Sequence, residues 1–377
     1  MSIDVEKWIR KASSHLNLDR VEEARSRVSA SWNFKLVESP PLIINCPPPE
    51  AWPAFKYYET YSDMDKMLVS QLTSVYSHAL LQDDGMPCVR ANYGVGIIPS
   101  GFGSEIIVQP DSDQMPWVKE PVLKKDPPDI GGLKDPCSHH SLMTRVIETE
   151  EYFIKKLEGT GVRVYLCDTQ GPLDVAYLLR GPKLLSDFYR YPDFAMELLK
   201  RVAEVYLDFS VEQKKIVGEP LDQGFHGTPN VWMSQGGVRL CEDVAVMMNP
   251  NQYRRFCVPV NEFSLRQFNG GMGHFCCSDA SDGKQVLEPI LSSGVFKSFF
   301  FGSPTKFYGL KETVELFQRK RVCLIWTDGP QEGEKPESWV KRVSSSLENR
   351  TGIIFSISVE SFNAAFEILN AWRKTFR

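Results

Sequence analysis

The second part of the chain alternates short apolar runs with longer amphipathic segments, and this alternation limits the possible folds more than any other feature. After residue 160, each run of β-branched or aromatic residues leads through a turn with Asp, Gly or Pro into a helical pattern. Strands that alternate with helices pair in parallel, so these runs predict an α/β fold. The predicted strands are VRVYL (163–167), GVRLCE (237–242), GMGHFC (271–276), VFKSFFF (295–301), RVCLIW (321–326) and GIIFSI (352–357).

Six strand–helix units, with one or two earlier strands, predict a (β/α)8 TIM barrel; a doubly wound open sheet is the alternative. The first ninety residues are predicted to be mostly helical, apart from the proline-rich ESPPLIINCPPPEAWP, which must be extended or turning. The predicted division is an N-terminal helical extension packed on the barrel, residues 1–90, and a barrel catalytic domain, residues 91–377.

Composition argues against nucleic acid and membrane as partners. Lys and Arg total 43 against 48 Asp and Glu, a net charge of −5, and the basic residues do not gather into runs that attract a phosphate backbone. The longest apolar runs are far shorter than the roughly 20 residues that cross a membrane. Nine scattered cysteines and an N-terminus without an apolar signal core predict reduced thiols and a cytoplasmic protein.

The stretch GGMGHFCCSD, residues 270–279, combines an imidazole, two thiols and a carboxylate. On a strand, His274 and Cys276 project from one face and Cys277 from the other, because side chains alternate with period two. Zinc takes Cys and His ligands, so His274 and Cys276 are candidate metal ligands. The spacing alone equally fits a core strand, since free Cys and single His residues are often simply buried.

Acidic residues follow several of the predicted strands, where a barrel builds its active site. Asp168, Asp243, Asp279 and Asp328 each follow a predicted strand, so the predicted mouth is acidic. Asp243 and Asp168 are candidate catalytic residues, although Asp168 and Asp328 could instead cap the turns that follow them.

Substrate contacts are predicted from polar and aromatic side chains in loops near the strands. The candidates are Tyr93 in NYGVG, Trp232 and Gln235 in VWMSQ, and Asp328. The glycine-rich segments around Tyr93 are also explained by turn geometry alone.

Five passages stand out when they are taken in order: TQGPLDVAYLLRG, YPDFAMELLKRVAEVYLDF, MNPNQYRRFCVPV, GHFCCSDASDGKQVLEPILSSGVFKSF and VCLIWTDGP. Together they resemble the uroporphyrinogen decarboxylase superfamily over roughly residues 90–377. The resemblance implies an eight-fold βα barrel and one of two activities. One is cofactor-independent decarboxylation of porphyrinogen acetates, and the other is zinc-dependent methyl transfer between a corrinoid protein and a thiol.

The decarboxylase branch of that superfamily carries an arginine-containing loop near the N-terminus that helps to hold substrate carboxylates. Here no arginine occurs between Arg27 and Arg90. An acidic mouth would also repel a substrate with eight carboxylates. Porphyrin decarboxylation is therefore not expected.

The methyltransferase branch resembles this chain at His274 and Cys276, which match its first two zinc ligands. Its third ligand, a cysteine at the end of the last strand, would fall in GIIFSISVES, where Ser356 and Ser358 stand. A hydroxyl is a poorer zinc ligand than a thiolate. Cys323 is predicted to lie too deep, which leaves Asp243 or Asp328 as better candidates.

Three functions remain open at this stage. The first is a zinc-dependent methyltransferase that moves a methyl group between a corrinoid and a thiol, with a corrinoid protein as its partner. The second is a metal-free decarboxylase acting on a different carboxylated small molecule. The third is a non-catalytic binder of a corrinoid or tetrapyrrole.

Overall fold

The computed structural model of the chain describes residues 3–110, 114–136, 140–276, 283–302, 304–306 and 308–376. The strands in these ranges are β1 Leu42–Asn45, β2 Cys88–Arg90, β3 Ile106–Ile107, β4 Trp117–Val118, β5 Arg163–Tyr165, β6 Gly224–His226, β7 Val231–Met233, β8 Arg239–Cys241, β9 Gly271–Cys276, β10 Phe296–Gly302, β11 Cys323–Trp326 and β12 Ile353–Ser358. The helices are α1 Val5–Ser13, α2 Leu18–Trp32, α3 Tyr57–Ser62, α4 Met64–Leu81, α5 Ile97–Gly101, α6 Leu142–Lys156, α7 Pro172–Arg180, α8 Lys183–Arg190, α9 Pro192–Val217, α10 Pro250–Gln252, α11 Val258–Leu265, α12 Lys284–Ser292, α13 Leu310–Lys320, α14 Pro336–Ser346 and α15 Phe362–Thr375.

Six parallel strands form the largest sheet, in the order β1-β12-β11-β10-β9-β8. A second parallel pair joins β2 to β5, while β3–β4 and β6–β7 are antiparallel hairpins. The α/β class and the parallel pairing predicted from the sequence are therefore confirmed. All six strands predicted after residue 160 are present, with β9 matching its predicted bounds and the others shifted or shortened by a few residues.

The helices begin and end where local sequence signals place them. The 26-residue α9 has Pro192 in its first turn, where a missing amide hydrogen costs nothing, and ends at Gly218 in the left-handed conformation. The side chain of Asp63 caps α4 by accepting from the amides of Asp65 and Lys66. No helix in the described residues is long and apolar enough to cross a membrane.

Residues 1–90 are mostly helical, as expected, but they also contain two strands. The proline-flanked β1 pairs with β12 at the edge of the large sheet, and β2 pairs with β5. The first ninety residues therefore contribute to the sheets and are not a purely helical extension. A boundary between two units at residue 90 remains a prediction.

Two large hydrophobic clusters lie on opposite sides of the strands. One fills the space between the strands and the surrounding helices. The other combines residues of the large sheet, such as Ile43, Met272 and Ile325, with Cys88 and Tyr165 of the β2–β5 pair. Because both sheets contribute to this second cluster, they enclose a common interior, which is consistent with a barrel-like fold.

Side chains of α2 and of the β6–β7 hairpin close one end of this interior. Trp32 of α2 and Trp232 of β7 belong to the same buried cluster as Cys323, the first residue of β11. This is the end at which the parallel strands begin. The opposite end, where the strands finish, is the one that holds the candidate site.

Buried carboxylates tie β1 to the segment before β2. Asp84 accepts from the Leu42 amide at 2.9 Å and from two nitrogens of Arg27, while its own amide donates to the Leu42 carbonyl at 3.1 Å. Asp83 accepts from the Ile44 amide at 2.7 Å. These bonds satisfy backbone groups of β1, which is an edge strand of the large sheet.

Replacing Asp84 tests this connection. Asp84→Ala leaves the Leu42 amide and the part-buried Arg27 guanidinium without their acceptor, so it should lower the free energy of unfolding by about 3 kcal/mol. Urea denaturation measures this change. The control is Glu367→Ala, at an exposed position of α15, which should change stability by less than about 0.5 kcal/mol. Equal stability of the two variants would contradict the assigned role.

Candidate active site

The register of two neighbouring strands brings the chemistry-bearing residues together. In the parallel pair β8–β9, Cys241 lies directly opposite His274. Both residues are buried near the ends of their strands. Asp243 follows β8 and Cys276 ends β9, so both lie farther toward the open end, and Cys276 is exposed.

Backbone and ring contacts fix the orientation of His274. Its Nδ1 lies 3.1 Å from the Phe300 carbonyl oxygen, and its ring stacks on the Phe300 ring with centroids 4.1 Å apart. A carbonyl only accepts, so Nδ1 carries the hydrogen and the lone pair of Nε2 faces the cluster. Nε2 lies 3.3 Å from Cys276 Sγ and 3.9 Å from Asp243 Oδ1.

Three ligand atoms converge in a way that suits a metal ion. One atom each from Cys241, Asp243 and His274 lie within 4.8 Å of one another. The Cys241 thiol is 3.3 Å from Asp243 Oδ2. Burial and the charge of Arg239 lower the pKa of His274 to about 4, so its imidazole is neutral and can donate a lone pair at neutral pH.

Hydrogen bonds also fix the position of Asp243. Its Oδ1 accepts from the Cys276 amide at 2.6 Å, which links the end of β8 to the end of β9. The buried Asp174 near the start of α7 accepts from the amides of Asp243 and Val244 at 3.0 and 2.8 Å. The turn that carries Asp243 is therefore attached to α7 as well as to β9.

An ion cluster lies directly beside these residues. Asp168, after β5, lies 3.5 Å from Arg90 Nη1 and 3.6 Å from Arg239 Nη2, and the three side chains are 12%, 11% and 10% exposed. Although burial raises the pKa of Asp168, the guanidiniums of Arg239 and Arg90 lower it well below its usual range. Arg239 precedes Cys241 by two residues and therefore projects from the same face of β8.

This cluster changes the predicted charge of the site. Two guanidiniums accompany Asp168, so the layer beneath the strand ends contains positive charge that the sequence analysis did not predict. The acidic mouth at the strand ends stays a prediction. The expected turn cap is also present, because Asp168 Oδ1 accepts from the backbone amide of Gln170.

Asp328 is partly exposed after β11, at the edge where the strands end. Asp279, which was expected at the acidic mouth, lies outside the described residues.

The other predicted substrate contacts are not brought to the Cys241–His274 cluster. Tyr93 is fully buried and its hydroxyl bonds Thr149 Oγ1 at 2.7 Å, in the layer between helices. Trp232 lies at the end where the strands begin. The guanidinium of Arg25 covers its ring, with Arg25 Cζ 3.8 Å from the ring centroid. Gln235 donates to the Asn33 side chain at the same end. Their role as substrate-binding residues stays a prediction.

Alternative third ligands on later strands are placed less favourably than Cys241. The hydroxyl of Ser356 is buried and donates to the Pro229 carbonyl, while Ser358 is exposed at the end of β12. Cys323 is buried at the start of β11, which agrees with its predicted depth. Cys277 lies outside the described residues.

Sequence reasoning missed Cys241, although a signal for it existed. Arg239, Cys241 and Asp243 alternate through the end of a predicted strand, so they share a face. What the sequence could not provide was the neighbour of that strand. Pairing with β9 makes Cys241 the residue beside His274.

Comparisons with known proteins establish a likeness in fold. No protein-family model matches the sequence, and no curated protein matches it. Among solved structures, a methyltransferase from Methanosarcina mazei is similar, with a TM-score of 0.65 and 14% identity over 94% of this chain and 99% of that one. At this identity the likeness concerns the fold alone.

Asp168 is the carboxylate that lies between Arg90 and Arg239, so we expect its removal to destabilise the fold. Asp168→Asn leaves Arg90 and Arg239 as two largely buried like charges, so the free energy of unfolding should fall by about 3 kcal/mol. Urea denaturation measures the change. Asp208→Asn, at an exposed position of α9, is the matched control and should have little effect. A difference below about 0.5 kcal/mol between the two variants would show that Asp168 does not offset these arginines.

Proposed function

We propose that this chain is a zinc-dependent methyltransferase that moves a methyl group between a corrinoid and a thiol. The observation that carries the proposal is the convergence of Cys241, Asp243 and His274 within 4.8 Å at the ends of two parallel strands. Its fold likeness to a methyltransferase adds support. A corrinoid protein and a thiol small molecule are the proposed partners.

The donor set fits zinc. Zinc binds thiolate, imidazole and carboxylate in tetrahedral sites, and catalytic sites keep one position for substrate. The bond from His274 Nδ1 to the Phe300 carbonyl is the usual way in which proteins orient a ligating histidine. Soft thiolate and imidazole donors favour zinc over magnesium or calcium.

Each residue has a distinct part in the proposed site. Cys241, Asp243 and His274 would hold the ion, and Cys276 is exposed with its Sγ 3.3 Å from His274 Nε2, where it would be close to an incoming thiol. Asp174 holds the turn that carries Asp243. These donors would hold a zinc ion whose charge would lower the pKa of an added thiol and so favour the nucleophilic thiolate at neutral pH.

We further infer that the eight parallel strands β1, β2, β5, β8, β9, β10, β11 and β12 form a closed barrel. Asp168, after β5, is within 3.6 Å of Arg239 in β8. A Cβ on Gly171 would lie 2.0 Å from the Cys241 carbonyl oxygen, so the two backbones approach each other closely after β5 and β8. The bonds of Asp83 and Asp84 join β1 to the segment before β2.

Zinc content provides the first test. Protein dialysed against zinc and then against buffer should retain one equivalent by elemental analysis. Cys241→Ser and His274→Ala should weaken zinc binding at least about 100-fold, because each removes a ligand. Cys323→Ser removes a buried thiol at the other end of the strands and should bind normally. Retention by the His274 variant, or none by folded wild-type protein, would refute the zinc site.

Variants of Cys276 and Asp243 test which side chains contribute most to zinc binding. Asp243→Asn should weaken zinc binding with little change in the unfolding midpoint, because this side chain is 41% exposed. Cys276→Ser should weaken zinc less than Cys241→Ser does. Zinc titrations of the three variants against a chromophoric chelator give the comparison. A larger loss in Cys276→Ser would make Cys276 the principal thiol ligand in place of Cys241.

Methyl transfer is tested with methylcobalamin and 2-mercaptoethanol under anaerobic conditions. The zinc-loaded protein should accelerate loss of the methylcobalamin absorbance, and His274→Ala should lower the rate at least about 100-fold. Cys323→Ser is the control. A wild-type rate no higher than that of free zinc with the thiol would argue against the proposed reaction.

A second candidate is a metal-free decarboxylase, favoured by one observation. The side chains of Arg90 and Arg239 lie in the interior, where they could hold a substrate carboxylate, although no arginine loop precedes them in the chain. In that case Asp243 or Asp168 would stabilise a protonated intermediate. Full activity on a carboxylated substrate in metal-free protein would favour this function.

A further inference from the structure

A buried carboxyl group separates two of the proposed zinc ligands. Glu242 lies between Cys241 and Asp243 in the chain, and it is completely inaccessible to solvent. Because side chains alternate along a strand, Glu242 points away from Cys241, into the layer between the strands and the helices. Leu240, the preceding residue on that face, is an equally buried apolar residue. A carboxyl group in such a layer costs free energy unless a specific contact holds it there.

Asn261 of α11 provides that contact. Its Nδ2 donates to Glu242 Oε1 at 2.9 Å and to the Tyr253 hydroxyl at 3.2 Å. Tyr253 begins a π-helical turn, Tyr253–Cys257, which leads directly into α11. Such turns are rare and often occur at functional sites. Asn261 and Tyr253 are as deeply buried as Glu242, so water does not compete for these hydrogen bonds.

The backbone at Glu242 explains why its side chain matters for the neighbouring ligand. β8 ends at Cys241, and Glu242 has φ −132° and ψ 34°, outside the range of a β-strand. A 3-10 turn, Asp243–Met247, follows directly. The direction of the Asp243 side chain therefore depends on how Glu242 is held. The Glu242 amide also donates to the His274 carbonyl at 2.7 Å, which connects this turn to another ligand.

We propose that Glu242 is a positioning residue for the metal centre. Its bond to Asn261 fixes the turn at which the chain leaves β8, and so directs Asp243 toward the other two ligands. Glu242 itself contacts neither the ion nor a substrate, and its role rests on the proposed zinc site. Asp174 holds the amides of the same turn, so losing the bond to Asn261 should weaken zinc binding less than losing a ligand does.

Replacing both bonded partners by apolar residues separates positioning from stability. In Glu242→Met/Asn261→Leu, two buried polar groups become apolar ones of similar size, a change that is often neutral or stabilising. The midpoint of urea unfolding should therefore not fall. Zinc affinity, titrated against a chromophoric chelator, should nevertheless fall at least about ten-fold. Glu242→Gln keeps an oxygen that accepts from Asn261, so it should bind zinc within about three-fold of wild type.

The matched control is Leu240→Met, which places the same new side chain on the same buried face of β8. It should bind zinc within about two-fold of wild type. Equal zinc affinity of the double variant and Leu240→Met would overturn the proposal, and so would a loss in Glu242→Gln as large as that in the double variant. If the double variant does not fold, Asn261→Ala takes its place, with the same expected loss of zinc affinity.

A measurement on metal-free protein separates this inference from the zinc site itself. The Cys276 amide donates to Asp243 Oδ1, whereas the Met272 amide in the same strand donates to the Val238 carbonyl at 2.9 Å. In the double variant, NMR should show at least about ten-fold faster hydrogen exchange at the Cys276 amide and unchanged exchange at the Met272 amide. Unchanged exchange at Cys276 would overturn the positioning role. Faster exchange in the variant of a protein whose wild type binds no zinc would support the positioning of Asp243 and refute the zinc site alone.

Discussion

The parallel register of β8 against β9 is the constraint on which the candidate site depends. It sets Cys241 beside His274, and the alternation of side chains then carries Asp243 and Cys276 toward the open end. A shift of one residue would turn Cys241 away from the interior. The bond from the Cys276 amide to Asp243 and the bonds from the amides of Asp243 and Val244 to Asp174 hold this register at its end.

Charge is distributed unevenly along the interior of the fold. The Cys241–His274 cluster offers neutral and acidic donors, whereas the neighbouring layer holds two guanidiniums against the single carboxylate of Asp168. Burial and the charge of Asp174 oppose the thiolate form of Cys241 and raise its pKa well above the usual range, although the Arg239 guanidinium lowers it. Metal binding would offset this opposition, because a bound cation stabilises the thiolate directly.

Six strand positions after residue 160 were predictable because each apolar run is long enough and is bounded by turn residues. The hairpin strands β6 and β7, with three residues each, were not predicted. The strands β1 and β2 were not resolved from sequence, because they have four and three residues and β1 lies among prolines. His274, Cys276 and Asp243 were found as candidates from spacing and from their positions after strands. Their closeness to one another could not be deduced without knowing which strands are neighbours.

The parts of the site missed by the sequence analysis are those set by long-range pairing. Asp174 is 69 residues from Asp243 in the chain, and its bonds to that turn leave no local sequence signal. Arg90 and Asp168 meet only because β2 pairs with β5. Tyr93, Trp232 and Gln235 were plausible from residue type. However, Tyr93 lies between helices, and the β6–β7 hairpin that carries Trp232 to the end where the strands begin was not predicted.

X-ray absorption at the zinc edge of the zinc-loaded protein tests the central claim most directly. A centre built by Cys241, Asp243 and His274 predicts sulfur at about 2.3 Å together with nitrogen or oxygen at about 2.0–2.1 Å, and the scattering pattern of an imidazole ring. The sulfur contribution should fall in Cys241→Ser and persist in Cys323→Ser. A zinc environment of oxygen atoms alone, identical in both variants, would contradict a metal centre at the ends of β8 and β9.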